Sequence, residues 1–246
     1  MTKMTKTALL AAAAFCVSGT LAHAEESAVD IKGSIEQTTV VKGGNITMSY
    51  QGEDVANSLN AFRSGEVGGS LVQETTLEGV NIAMSYQGGD VKNEVGFVER
   101  AKVGGDLKQR IEVNGANIAM SYQGGDVEND LGTIKNGGAG GNFEQELRLS
   151  GANIAMSYQG GDVANSVGAV ENAFAGGNLK QKTTIDGANI AMSYQGGDVS
   201  NSLGKIANAK VGGNVTQTTA VKGANITMSY QGGKACSAVG SIGAGC

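Results

Sequence analysis

Most of the side chains in this sequence that could do chemistry belong to one octapeptide written six times. Asn-Ile-Ala-Met-Ser-Tyr-Gln-Gly begins at Asn45, Asn81, Asn117, Asn153, Asn189 and Asn225, always 36 residues apart, with Thr47 and Thr227 replacing Ala in the outer copies. Gln37, Gln73, Gln109, Gln145, Gln181 and Gln217 recur at the same interval, as do Asn57, Asn93, Asn129, Asn165 and Asn201. A primary amide both donates and accepts, so identical amides stacked on one another satisfy each other; the chemistry on offer is recognition. Catalysis lacks its reagents. The single His is His23, inside the leader described below, so the remainder supplies no Ser-His-Asp or Cys-His set and no His- or Cys-based zinc site. No catalytic residue, metal ligand or cofactor is expected, and the chain reads as a non-enzyme.

The acidic turns come nearest to a metal motif. Asp90, Asp126, Asp162 and Asp198 each follow Gly-Gly, and Glu53-Asp54 takes their place in the first copy. Calcium-binding β-rolls use a nine-residue period that this chain does not have. A turn Asp bonded to nearby backbone is the preferred reading.

A fixed period of this size means one supersecondary unit stacked on itself, so the elements follow from it. In the fifth copy Asn178 to Asp186 alternates inward candidates (Leu179, Gln181, Ile185) with Lys180, Lys182 and Asp186, the period-2 pattern of a strand with one wet face. Ala188 to Gln195 is a second strand, Gly196-Gly197-Asp198 a turn, and Val199 to Leu203 a third strand. Comparing copies sorts the faces. The positions of Lys180 and Lys182 vary freely, whereas the Gln row and the Asn57 row do not, so the first and third strands each show one face to water. Both faces of the middle strand repeat. It is therefore expected to lie covered on both sides, between the other two.

The fold class expected is all-β: a parallel β-solenoid of six 36-residue layers with about three strands per layer. A serpentine, Greek-key-like layer is preferred over a triangular β-helix. Residues 1–24 read as a signal peptide, with Lys3 and Lys6, an apolar run from Ala8 to Phe15, and Ala22-His23-Ala24 as the cleavage site. Residues 25–32 form a lead, and residues 33–246 hold the six repeats.

Composition agrees with a secreted structural chain. Pro and Trp are absent and Gly reaches 40 of 246 residues without a strict three-residue period, which excludes collagen. Pro would remove a ladder hydrogen bond from strands paired on both sides. The formal net charge is −5, and about −7 once the two leader lysines are removed, so no basic face for nucleic acid is expected. Cys236 and Cys246 are expected to form a disulfide in an oxidising compartment, within one chain in preference to between chains.

The ends carry the functional reading. Solenoids that stay monomeric usually have atypical capping repeats. Here the first copy keeps Gln37, Asn45, Met48, Tyr50, Gln51 and Asn57, and the last keeps Gln217, Asn225, Met228, Tyr230 and Gln231. Both ends are thus expected to accept another chain as the next layer, and head-to-tail stacking of this kind does not close. Paired threonines such as Thr38-Thr39 and Thr183-Thr184 suggest an ice-binding row, but Arg110-Ile111 and Glu146-Leu147 interrupt it.

The leader, the Gly-rich acidic composition and the tandem repeats with recurring Gln and Asn resemble the secreted bacterial functional amyloids, the curlin and Fap-type fibril subunits. The resemblance implies an extracellular fibre in biofilm matrix or adhesion, exported by a dedicated outer-membrane channel and started by a nucleator. The function expected is a secreted subunit that assembles with itself end to end. The alternative is a monomeric cell-surface adhesin or ice- or glycan-binding solenoid.

Overall fold

The computed structural model of the chain describes residues 4–10, 14–17 and 29–243, the first two ranges as backbone only. The described residues build a β-solenoid of six layers, with parallel strands and no helix. Each layer sits on the next in a 36-residue register: Gln109 pairs with Gln145, Asn117 with Asn153 and Asn129 with Asn165. The lead joins in as well, since Val29–Ile31 pairs with Gly65–Val67. The expected cleavage site at residues 22–24 lies outside the described residues.

The third layer shows the path. It runs out along Leu107–Val113 and Ala116–Ser121, turns through Gly124 and Gly125, and returns along Val127–Leu131, Ile134–Lys135 and Gly138–Ala139. Three apolar clusters hold the two sides together. Leu107 and Phe143 pack on Ile134 and Val170, Ile111 and Val113 on Leu131, and Ala119 on Val127. A layer is therefore a flattened arch with two sides.

This path differs from a serpentine, because the middle strand is not sandwiched. It prolongs the first strand in the same sheet: in the first two layers Ile35–Ser49 and Leu71–Ser85 are single unbroken strands. From the third layer on, a two-residue bend that includes Gly115 or its counterpart separates the two. That row must be Gly because the stacked backbones touch there; a Cβ on Gly115 would lie 1.8 Å from the Gly79 carbonyl oxygen. Asn117, Ala119 and Ser121 face inward and are fully buried, while Ile118, Met120 and Tyr122 face outward and are half-exposed.

The returning side kinks at Gly132, whose φ of 64° is left-handed. Four residues on, Asn136, Asn172 and Asn208 also take positive φ, a conformation Asn tolerates better than most side chains. The kink closes a notch on the outer surface that buries residues the alternation would put in water. Glu94 is 4% exposed and Asp130 1%. Arg63 pairs with Glu94 and lies 5.4 Å from the centre of the Phe97 ring. Lys135 donates to Asp130 at 3.1 Å and also to Glu128, which Lys92 approaches at 3.2 Å.

Two carboxylates thus share one half-buried ammonium, and burial separates their titrations. Burial pushes Asp130 up to about 7 against the attraction of Lys135, with Glu128 adding repulsion. Burial opposes ionisation of Glu128 too, but Lys135 and Lys92 overcome it and bring that carboxyl down to about 2. With a folded pKa above its unfolded value, Asp130 contributes stability that is complete below about 4 and lost as pH rises through about 7. Ser58, Ser166 and Ser202 occupy the same row. Asp130→Ser is therefore expected to stabilise the chain by on the order of 1 kcal/mol at pH 8, a gain that shrinks toward pH 5. Urea midpoints at the two pH values check this, and an equal shift at both would contradict the assignment.

Candidate self-assembly edges

The inward amides form two kinds of ladder with opposite polarity. Each Gln side-chain NH2 donates to the layer before it: Gln73 to Gln37 at 3.0 Å, Gln145 to Gln109 at 2.8 Å and Gln217 to Gln181 at 2.8 Å. A second bond reaches the kink of the returning side, as from Gln145 to the Gly132 carbonyl at 2.6 Å. Asn donors point the other way. Asn45 donates to Asn81 and Asn81 to Asn117, both at 2.9 Å. The Asn57 row interleaves with them across the arch: Asn81 donates to Asn93 at 2.6 Å, and Asn93 to Asn117 at 2.9 Å. A buried amide costs a few kcal/mol when unpaired, and here each interior one is paired on both sides.

The two ends of the stack are consequently complementary. At the first layer the Gln37 NH2 and the Asn45 side-chain oxygen have no partner among the described residues; at the last, the Gln217 side-chain oxygen has none. Asn225 turns its NH2 to Ser237 Oγ at 2.9 Å, in the place where earlier layers have Asn. A following copy would bring a donor to Gln217 and an acceptor to Asn225.

The backbone edges differ. Val215–Val221, Ala224–Ser229 and Ala235–Val239 close their sheets on one side only, and Val215 is 42% exposed. At the opposite end the strand Ile35–Ser49 is occupied: Met4–Leu10 and Ala14–Val17 lie on it in parallel, in a register of 31 residues. Ile35, the counterpart of Val215, is 9% exposed. At the last layer the strands are paired on one side only; at the first, residues of the expected leader lie along the edge.

The other expected ladder residues sit elsewhere. Tyr50 and Tyr230 end an outward row in which neighbouring rings stack at 4.9 to 5.3 Å with planes within 8°. Met48 and Met228 lie on the same outward face, and Gln51 and Gln231 are exposed at the turn, so these six add nothing to the buried ladders. Burial lifts the Tyr122 hydroxyl above its ordinary pKa, and repulsion from Tyr158 and Tyr86 adds to it. Asp54, Asp90, Asp126 and Asp162 do bond to backbone, but to the N–H of the next layer, as Asp54 does to Asp90 at 2.9 Å. Asp198 holds the Lys234 N–H in the same way, and there the row stops.

Cys236 is exposed and disulfide-bonded; Cys246 lies outside the described residues. Among the described residues no three His, Cys, Asp or Glu side chains come together as a metal site. Ladder polarity, the buried notch and the covered first edge escaped the sequence reading. Only the notch left a signal there, in the lone acids Glu94 and Asp130 in a row of Ser.

Compared with protein-family models, curated proteins and solved structures, the chain finds no match in any of the three.

Proposed function

We propose that this chain is a secreted structural subunit that polymerises end to end into an extracellular fibre. The observation that carries the reading is the unsealed last layer: three strands in repeat register, exposed along one edge, whose inward Gln217 and Asn225 are complementary to Gln37 and Asn45 of the first layer in donor and acceptor. Edge strands left in this state are templates for pairing. Because head and tail differ, the contact is heterologous and does not close. The resemblance to secreted bacterial fibre subunits extends the proposal to biofilm matrix or adhesion, with an outer-membrane export channel and a nucleator as further partners.

Residues 25–246, purified and left at neutral pH, are expected to form unbranched fibres with a meridional spacing of about 4.8 Å. Electron microscopy and fibre diffraction read the outcome. A chain that remains monomeric at about 1 mM would favour the adhesin and sink this reading.

A further inference from the structure

The outward face of the middle strand is the least explained surface of the molecule. It carries three rows: Ile82, Ile118, Ile154 and Ile190; Met84, Met120, Met156 and Met192; and Tyr86, Tyr122, Tyr158 and Tyr194. These side chains belong to none of the buried clusters and are half-exposed or exposed. Elsewhere on the outside, residues drift from layer to layer; the row of Lys108 reads Val72, Lys108, Glu144, Lys180 and Thr216. An outward row bathed in water is free to vary in this way, and the Ile, Met and Tyr rows do not.

We propose that this face docks against the same face of a second copy of the chain. Period selects the occupant. The rows repeat every 4.9 Å, and another copy carries the same repeat, so its side chains interdigitate with these as in a dry sheet-to-sheet interface. The face has no charge to ask for an opposite charge. It is not built for sugar rings: stacking on carbohydrate uses the faces of aromatic rings, and here neighbouring Tyr rings lie parallel, within 2° of each other in the interior layers, presenting edges outward. Six layers by four residues cover about 29 by 13 Å, so a single pair buries roughly 800 Å², about two thirds of the smallest area a stable dimer needs. In a stack of subunits that area multiplies with length. The contact is lateral and geometrically distinct from the end-to-end one, but its strength in a stack rests on the end-to-end reading.

Cross-linking separates the two contacts. Met120→Cys and Met156→Cys, alone and mixed in the mature chain, are treated with a bis-maleimide spanning about 8 Å, with Lys108→Cys and the unaltered chain as controls. Face pairing is expected to give a covalent dimer from at least one of the Met variants, at several times the yield of either control. End-to-end neighbours hold equivalent residues about 29 Å apart, out of reach. Absence of dimer from both Met variants and their mixture, or equal yield from Lys108→Cys, would overturn the proposal. Dimer without fibres leaves the lateral contact standing and counts against end-to-end growth, and fibres without dimer do the reverse.

Discussion

The chain that retains residues 1–24 is expected to poison one end of a growing fibre and to start one of its own only after a much longer lag. Its first edge is occupied by Met4–Leu10 and Ala14–Val17, paired along Ile35–Ser49. That is the edge at which the Gln37 NH2 and the Asn45 oxygen would meet the preceding subunit. Its last layer, by contrast, is open. Such a chain adds through its last layer to the exposed first edge of a mature fibre, and having added presents only a covered edge. The other end of the fibre continues to take mature subunits. In seeded growth followed by microscopy, leader-bearing chain at about a tenth of the mature concentration should stop one end and leave the other unaffected. Alone it should show a lag at least about tenfold longer, because strand displacement must precede pairing. Equal lags with and without the leader, or equal slowing of both ends, would show that the leader does not hold the edge.

What the sequence made legible was whatever repeats. Stacking in a 36-residue register follows from identical residues at a fixed interval, and the inward Gln and Asn rows follow from their invariance beside variable neighbours. The route of the chain within a layer did not follow, and the reason is instructive. Invariance of Ile118, Met120 and Tyr122 with their counterparts was equated with burial inside the chain, whereas a constraint from outside the chain leaves the same trace. The separation of the first two strands at the Gly115 row is seen from the third layer on, but there the Gly allows a close backbone approach within one sheet and does not fold the second strand back on the first. The notch was hidden because Asp130 and Lys135 each occur once in their rows, where Ser166 and Glu171 are neighbours. Alternation placed Asp130 in water, and only the left-handed kink at Gly132 turns that surface into an enclosed one. Donor direction along the ladders is invisible in principle, since Asn and Gln are symmetric in kind; only geometry assigns it.

Asn117→Asp is expected to be the most damaging single change of comparable size in the chain, costing about 3–5 kcal/mol at neutral pH. Asn117 is fully buried, and its amide makes four bonds. Its NH2 donates to Asn129 at 2.8 Å and to Asn153 at 2.9 Å, and its oxygen accepts from Asn81 and Asn93, each at 2.9 Å. A carboxylate keeps the two acceptor contacts and turns the two donor contacts into repulsion between oxygens, with a charge buried where no cation stands. Burial would raise the folded pKa of the new Asp above its unfolded value near 4. Its least unfavourable contribution therefore lies below about pH 4 and worsens as pH rises through the folded value. Urea unfolding across pH 4 to 8 should show a deficit that grows with pH, whereas Lys108→Ala on the outward face of the same layer should stay within about 0.5 kcal/mol throughout. A deficit independent of pH would mean that the loss comes from packing alone, and a small deficit at pH 8 that the amide ladder is not what fixes the layers in register.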